Sequence, residues 1–116
     1  MIPCFKYQDA GAAIEWLCSA FGFEKKMVVE GPEGKIAHAE LTFGRGMVML
    51  GSVSEDEFSK MVAGTKKTGA VYIVVEDCDA HFGAAKGAGA HIEMEPTDQD
   101  YGSRDYICRD PEGYLW

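Results

Sequence analysis

One pattern runs through this chain twice, about 67 residues apart, and that repeat constrains the fold more tightly than anything else in the sequence. Asp9 opens a helix-like run, Ala10 to Phe23, that closes on Phe21-Gly22-Phe23; Asp77 opens Cys78 to Ala90, which closes on Ala88-Gly89-Ala90. Further on, His38 to Leu50 parallels Asp105 to Trp116, each with a short turn between two strand-like runs. The offsets agree: 77 − 9 = 68, 89 − 22 = 67 and 113 − 46 = 67. Few residues are identical, so the repeat is one of pattern. Its period is that of a duplicated module, longer than the periods of solenoids. Two half-size modules that share a surface make a cleft, and the residues lining that cleft decide the function.

Each module reads as βαβββ. Residues 2 to 8 form a short strand, and Asp9 is placed as a helix N-cap. Behind it Ala13, Ile14, Leu17, Cys18 and Phe21 recur at helical spacing, and Gly22 stops the helix. Lys25 to Glu30 is a strand, Gly31 to Gly34 a turn, Lys35 to Phe43 a second strand and Met47 to Leu50 a third. Ser54 and Glu57 form a capping box for a short connector helix that Gly64 ends. The order then repeats. Val71 to Val75 is a β-branched strand, and Asp77 or Asp79 caps a helix bearing Phe82 and Ala85. His91 to Glu95 is a strand, Pro96 to Gly102 a loop, Ser103 to Arg109 a strand, and Tyr114 onward a last strand, cut short at Trp116. The expectation is one domain over 1–116, with module one at about 1–52, a connector at 53–68 and module two at about 69–116. Phe43 and Ile14 are expected in the core.

Composition excludes some partners. The net charge is −8, and the basic residues are scattered, so there is no basic face for nucleic acid. The longest apolar run, Ala70 to Val75, is too short to span a bilayer. Met1 to Lys6 lacks the apolar core of a signal peptide, and Cys4, Cys18, Cys78 and Cys108 show no C-x-x-C spacing. The expectation is a cytoplasmic protein with reduced thiols and no membrane partner.

The segment Tyr101-Gly102-Ser103-Arg104-Asp105-Tyr106-Ile107-Cys108-Arg109-Asp110-Pro111-Glu112-Gly113-Tyr114-Leu115-Trp116, in register with His38-Ala39-Glu40-Leu41, Gly44 and Met49-Leu50, resembles the vicinal oxygen chelate superfamily. That superfamily holds glyoxalases, bleomycin-resistance proteins and dioxygenases, and the chain is most similar to a bleomycin-resistance-like or PhnB-like branch. The resemblance covers essentially the whole chain. It implies an α+β fold in which two tandem βαβββ modules form a cup-shaped mixed sheet with helices outside. It also implies pairing of modules, either within a chain or across a swapped dimer, and a homodimer is expected. Metal-dependent members carry His and Glu ligands on the first and fourth strands of each module. Carried over, these positions fall at Ile2, Leu50 and Ala70, with the last one residue beyond Trp116. Aliphatic side chains offer a divalent ion no donor, and Met1, Pro3, Met49, Gly51, Gly69 and Val71 beside them are no better. The expected metal set is therefore none, with no cofactor, and glyoxalase or dioxygenase activity of the metal-dependent kind is not expected.

By the family mapping Leu50 and Val48 face into the cup. On the preceding strands His38, Glu40 and Thr42 share a face, with Asp105, Ile107 and Arg109 as their repeat partners. The expected ligand contacts are His38, Glu40, Asp105 and Ile107, with Tyr72 and Phe5 as lids. A bulge near Gly102 would turn Arg104 and Tyr106 inward instead. Each residue also has a plainer reading: His38 as a structural histidine, Glu40 paired to a lysine, Arg104 bridged to an aspartate, His81 and His91 as exposed helix-end and loop residues. Two functions compete. One is metal-independent binding of a small aromatic or amphipathic molecule; the other is a lyase- or transferase-type enzyme with atypical acid–base or metal residues. No nucleophile–base pair at a defined spacing identifies catalytic residues.

Overall fold

The structure, a computed structural model, describes residues 1–63 and 66–116. The expected helix stop at Gly64 lies outside the described residues. The chain forms two compact units: Met1–Cys18 with Gly22–Lys66, and Ser19–Phe21 with Lys67–Trp116.

The first unit is the first repeat plus the connector. It runs β1 (Cys4–Tyr7), α1 (Ala10–Phe21, whose last three residues group with the second unit), β2 (Glu24–Glu30), β3 (Ile36–Phe43), β4 (Gly46–Ser52) and α2 (Glu57–Ala63). The caps are those the residue types require. The Asp9 carboxylate accepts the Ala12 N–H at 3.0 Å, and Gly22 ends the helix at φ 82°, a left-handed conformation that costs glycine little. The connector helix differs from expectation. It begins at Glu57, and Asp56 rather than Ser54 serves as its cap, accepting the Ser59 N–H at 2.8 Å. The Ser54 hydroxyl is turned onto that carboxylate and, with the Ser59 N–H, holds it well below the usual carboxylate range.

The strands make a four-stranded mixed sheet in the order β1-β4-β3-β2, with β1 and β4 parallel and the other pairs antiparallel. Residues directly opposite across a pair share a face. Ala39 lies opposite Leu50 and Leu41 opposite Val48, and all four are buried. With Tyr7, Ala13, Ile14 and Leu17 they form the core of this unit. Glu40 lies opposite Met49 and Thr42 opposite Met47, so they occupy the other, half-exposed face. This corrects the expectation that Val48 and Leu50 share a lining with His38 and Glu40: the two sets stand on opposite faces of one sheet. Ile14 is 2% exposed as expected, whereas Phe43 is only half-buried, its ring tilted against Phe23 at 5.5 Å between centroids.

The second unit holds α3 (Cys78–Gly87), β5 (His91–Asp98) and β6 (Arg104–Arg109). The repeat is kept in place as well as in kind, since 78 − 10 = 68 and 91 − 24 = 67. Asp77, not Asp79, caps α3, accepting the Ala80 N–H at 3.0 Å. β5 runs on through Pro96 to Asp98, where a loop was expected. The pairing of β5 with β6 steps from Met94↔Ile107 to Thr97↔Asp105, which leaves one extra residue on β5. Pro96 sits in that irregularity, where its missing N–H breaks no ladder bond. The two outer strands expected here are not formed. Val71–Val75 has no registered pairing, and Tyr114–Trp116 contributes only isolated bridges, Ala70↔Leu115 and Arg109↔Leu115. The parallel pairing that runs over four residues between β1 and β4 is thus reduced to one bridge.

What closes the end of this unit is Asp110. Its carboxylate is 4% exposed and accepts three N–H groups: Glu112 and Tyr114, each at 3.0 Å, and the indole of Trp116 at 3.1 Å. The turn reverses through Gly113 at φ 86°, and Cys108 and Trp116 exchange reciprocal backbone bonds at 2.9 and 3.0 Å. Asp110→Ala is expected to lower stability by roughly 1–3 kcal/mol through the loss of the buried acceptor of the Trp116 indole, read as a fall in melting temperature. Asp110→Asn, which keeps one acceptor oxygen, should fall between. A change below about 1 kcal/mol for the alanine variant would show that the carboxylate does not hold the turn.

Candidate functional site: a cavity in the second unit

The second unit forms a half-open cavity of about 850 Å³, walled by 70–79 on one side and 103–107 on another, with His81, Met94, Tyr101 and Trp116 between. That volume lies within the range of small-molecule sites. Its wall is built by three local decisions of the sequence. The capped start of α3 brings Asp77, Cys78 and Asp79 to it, the antiparallel hairpin brings β6, and the run Val71–Val75, which joins no strand ladder, leaves Tyr72 69% exposed at its mouth.

Side chains alternate along β6. Arg104 and Tyr106 turn toward α3. The Arg104 guanidinium forks onto both oxygens of Asp79 at 3.0 Å and reaches Asp98 at 3.1 Å. Its charge is therefore met by two carboxylates, the plainer of its two readings. Tyr106 packs edge-on against Phe82, and its hydroxyl lies 2.6 Å from His81 Nδ1. His81 is not the exposed helix-end residue expected. It is half-buried, stacks on Phe21 at 5.5 Å, and its Nε2 lies 2.9 Å from the Phe21 carbonyl oxygen. A carbonyl only accepts, so Nε2 carries a proton there. His91 is exposed as expected, at the first position of β5.

Asp105 turns the other way, into a cluster with two tyrosines. The Tyr72 hydroxyl donates to Oδ1 at 2.7 Å and the Tyr101 hydroxyl to Oδ2 at 3.0 Å. These bonds, Tyr72 first, hold the Asp105 carboxyl below its ordinary range, and the carboxylate in turn pushes both phenols up. The Ser103 oxygen is buried beside all three, near enough to favour the Asp105 anion yet without hydrogen-bonding geometry to a partner among the described residues. Ile107, two residues on, adds an apolar patch to the wall.

Of the residues singled out in the sequence, Tyr72, Arg104, Asp105 and Ile107 line this cavity; His38 and Glu40 do not. They stand on the half-exposed face of β3, where Glu40 lies 3.2 Å from Lys26 and 3.5 Å from His38 Nε2. The Lys26 ammonium first, then His38, holds the Glu40 carboxyl below its usual range. Phe5 is half-buried beside Tyr7, with 6.2 Å between centroids, and is absent from the cavity wall. His81 is the residue sequence reasoning undervalued, while Tyr106, the inward alternative, and Tyr101, in a loop that could cover the cup, both line the cavity. For His81 the one available signal was its place in the second repeat, on the helix that packs against the strand bearing Tyr106.

The donors present do not suit a metal. Leu50 is buried in the core and Ile2 and Ala70 are aliphatic, so the three positions to which the resemblance carries the family's ligands within this chain have no side-chain N, O or S donor. Among the described residues no group of three or more His, Cys, Asp and Glu is placed to hold an ion. Nor is a thiolate nucleophile favoured: burial raises the Cys78 thiol above its ordinary value and pushes Cys108 up to about 11.

The comparisons bear on the family and the fold. Residues 6–116 match the Glyoxalase/Bleomycin resistance protein/Dioxygenase superfamily, and the chain belongs to it. It is 32% identical to an uncharacterized protein of Mycobacterium bovis, over a 122-residue alignment that takes in 98% of this chain and 78% of that one. TioX from Micromonospora sp. ML1 superposes with a TM-score of 0.78 at 35% identity, covering 100% of this chain and 90% of that chain. Glyoxalase I from Zea mays gives a TM-score of 0.74 at 22% identity, with 97% of this chain on 41% of that one, a likeness of fold. The resemblance read from the repeat and the D-P-E-G turn therefore holds at the level of the superfamily, as does the α+β class.

The cluster has a spectroscopic consequence. In an alkaline absorbance titration the Tyr72 and Tyr101 phenols should ionise above the ordinary value of about 10, because the neighbouring carboxylate disfavours the phenolate. Asp105→Asn removes that charge and should move their ionisation down. A titration curve indifferent to the substitution would break the cluster.

Proposed function

We propose that this chain is a metal-independent binding protein for a small aromatic or amphipathic molecule, held in the cavity of the second unit. The observation that carries the reading is the composition of that wall: Tyr72, Ile73, Tyr101, Ile107 and Trp116 offer apolar and aromatic surface, and Asp105 supplies one convergent polar group. Mostly apolar walls with a few fixed polar groups are the usual character of ligand sites. Tyr72, Arg104, Asp105 and Ile107 are its proposed contacts. The aliphatic residues at the family's ligand positions support a reading without metal. The thiol in the wall, Cys78, and the Tyr106 hydroxyl that meets His81 are both raised by burial, which favours binding over catalysis.

Calorimetric screening of aromatic and amphipathic compounds, run with and without a chelator, tests this. Binding is expected to survive the chelator unchanged, and elemental analysis of the purified protein should find far less than one zinc, nickel, iron or manganese per chain. Affinity that vanishes with chelation and returns with a divalent ion would overturn the reading.

The same reading takes the protein as a cytoplasmic homodimer. Support for the dimer is the edge strand β2, whose seven residues are all exposed, Met27, Val28 and Val29 among them. Such edges favour association. Sedimentation is expected to show a dimer at micromolar concentration. A monomer that does not respond to concentration would remove this element while leaving the binding site untouched.

A further inference from the structure

The hydroxyl protons of the cavity's tyrosines are already committed. Tyr72 and Tyr101 each direct theirs onto Asp105, at 2.7 and 3.0 Å. Tyr106 lies 2.6 Å from His81 Nδ1, and with His81 Nε2–H donating to the Phe21 carbonyl, Nδ1 is the ring nitrogen left to accept the Tyr106 hydroxyl's hydrogen bond. What these three phenols offer an incoming molecule is lone pairs. The Asp105 carboxylate adds more, since each oxygen has accepted one bond and retains a second acceptor site. The guanidinium in the wall, Arg104, is engaged with Asp79 and Asp98. Against that cation the wall carries Glu76, Asp77, Asp79 and Asp105. The Ser103 hydroxyl is the one donor of the Asp105 cluster without a partner among the described residues.

From this polarity we propose that the molecule bound here is a planar aromatic cation whose charge is carried on N–H groups, as in an arylamidinium, docked with those N–H groups on Asp105 and its ring against Tyr72 and Tyr101. The inference rests on the cavity being the binding site and names the chemical class it takes. Two N–H groups in one plane match two carboxylate oxygens. Phenol rings attract a cation through their faces. A ligand carboxylate or phosphate meets the opposite: an array of acceptors with its nearest cation already neutralised.

Benzamidine, benzamide and benzoate share one ring and differ in polarity, and toluene has the ring alone. Each is titrated by NMR into the full chain, with the cavity residues as reporters. Benzamidine is expected to bind saturably, benzamide more weakly and benzoate not at all. Asp105→Asn should weaken benzamidine by at least about tenfold, the loss of a charge-assisted hydrogen bond. Tyr72→Phe, which frees one carboxylate lone pair and keeps the ring, should hold or tighten benzamidine, whereas a purely structural tyrosine hydroxyl would loosen it. Benzoate or benzamide binding as well as benzamidine overturns the inference, as does benzamidine binding that ignores Asp105→Asn. If toluene alone moves the cavity resonances, the cavity remains the binding site and the inference falls. If none of the four does, both fall.

Discussion

A single buried carboxylate organises the end of the second unit. Asp110 gathers two backbone amides and the Trp116 indole, and through them fixes the reversal that returns the chain to Cys108. A charge this far from water is tolerated because its lone pairs are met by several donors. The cavity depends on it indirectly. Leu115, which forms the bridge to Ala70, and Trp116, which walls the cavity and tilts against Phe21 at 5.3 Å, are both placed by the turn Asp110 ties. The D-P-E-G segment therefore does structural service: Asp110 supplies acceptors, and Gly113 the left-handed backbone.

The two repeats use the same pattern differently. The first satisfies its backbone in four strands and buries a continuous aliphatic face, Ala39, Leu41, Val48 and Leu50. Its polar residues on the other face, Glu40 with Lys26 and His38, neutralise one another. The second keeps two paired strands and a smaller buried set, including Ala85, Cys108 and Trp116, and opens a cavity in place of a fuller sheet.

Much of the fold was legible because it rests on local chemistry. Asp9, Gly22 and Asp77 are caps wherever such residues flank an apolar period, and the structure uses each as a cap. The connector cap went astray because Ser54 and Asp56 are both good cap residues two positions apart, and Asp56 presents its carboxylate to Ser59 while Ser54 turns its hydroxyl onto Asp56. The strand expected at Val71–Val75 has the right residues but wants a partner along its length, and pairing is a property of two segments. The site was legible only in pieces. Asp105, Tyr72 and Arg104 were nameable from a strand's alternation and the family pattern. That Tyr72 reaches Asp105 across 33 positions of sequence, or that His81 meets Tyr106 across 25, is a fact of packing with no local sign.

The bare backbone of Tyr72–Val75 carries a consequence of its own. Among the described residues its amides have no hydrogen-bond partner, in contrast to those laddered into β3 and β4. Amides without partners trade their hydrogens with water fastest, while those in a ladder must wait for an opening. This stretch is one wall of the cavity, so the protein carries a clock beside it. A molecule that settles against Tyr72 shields these amides from water and slows the clock there, while β3 keeps its own time.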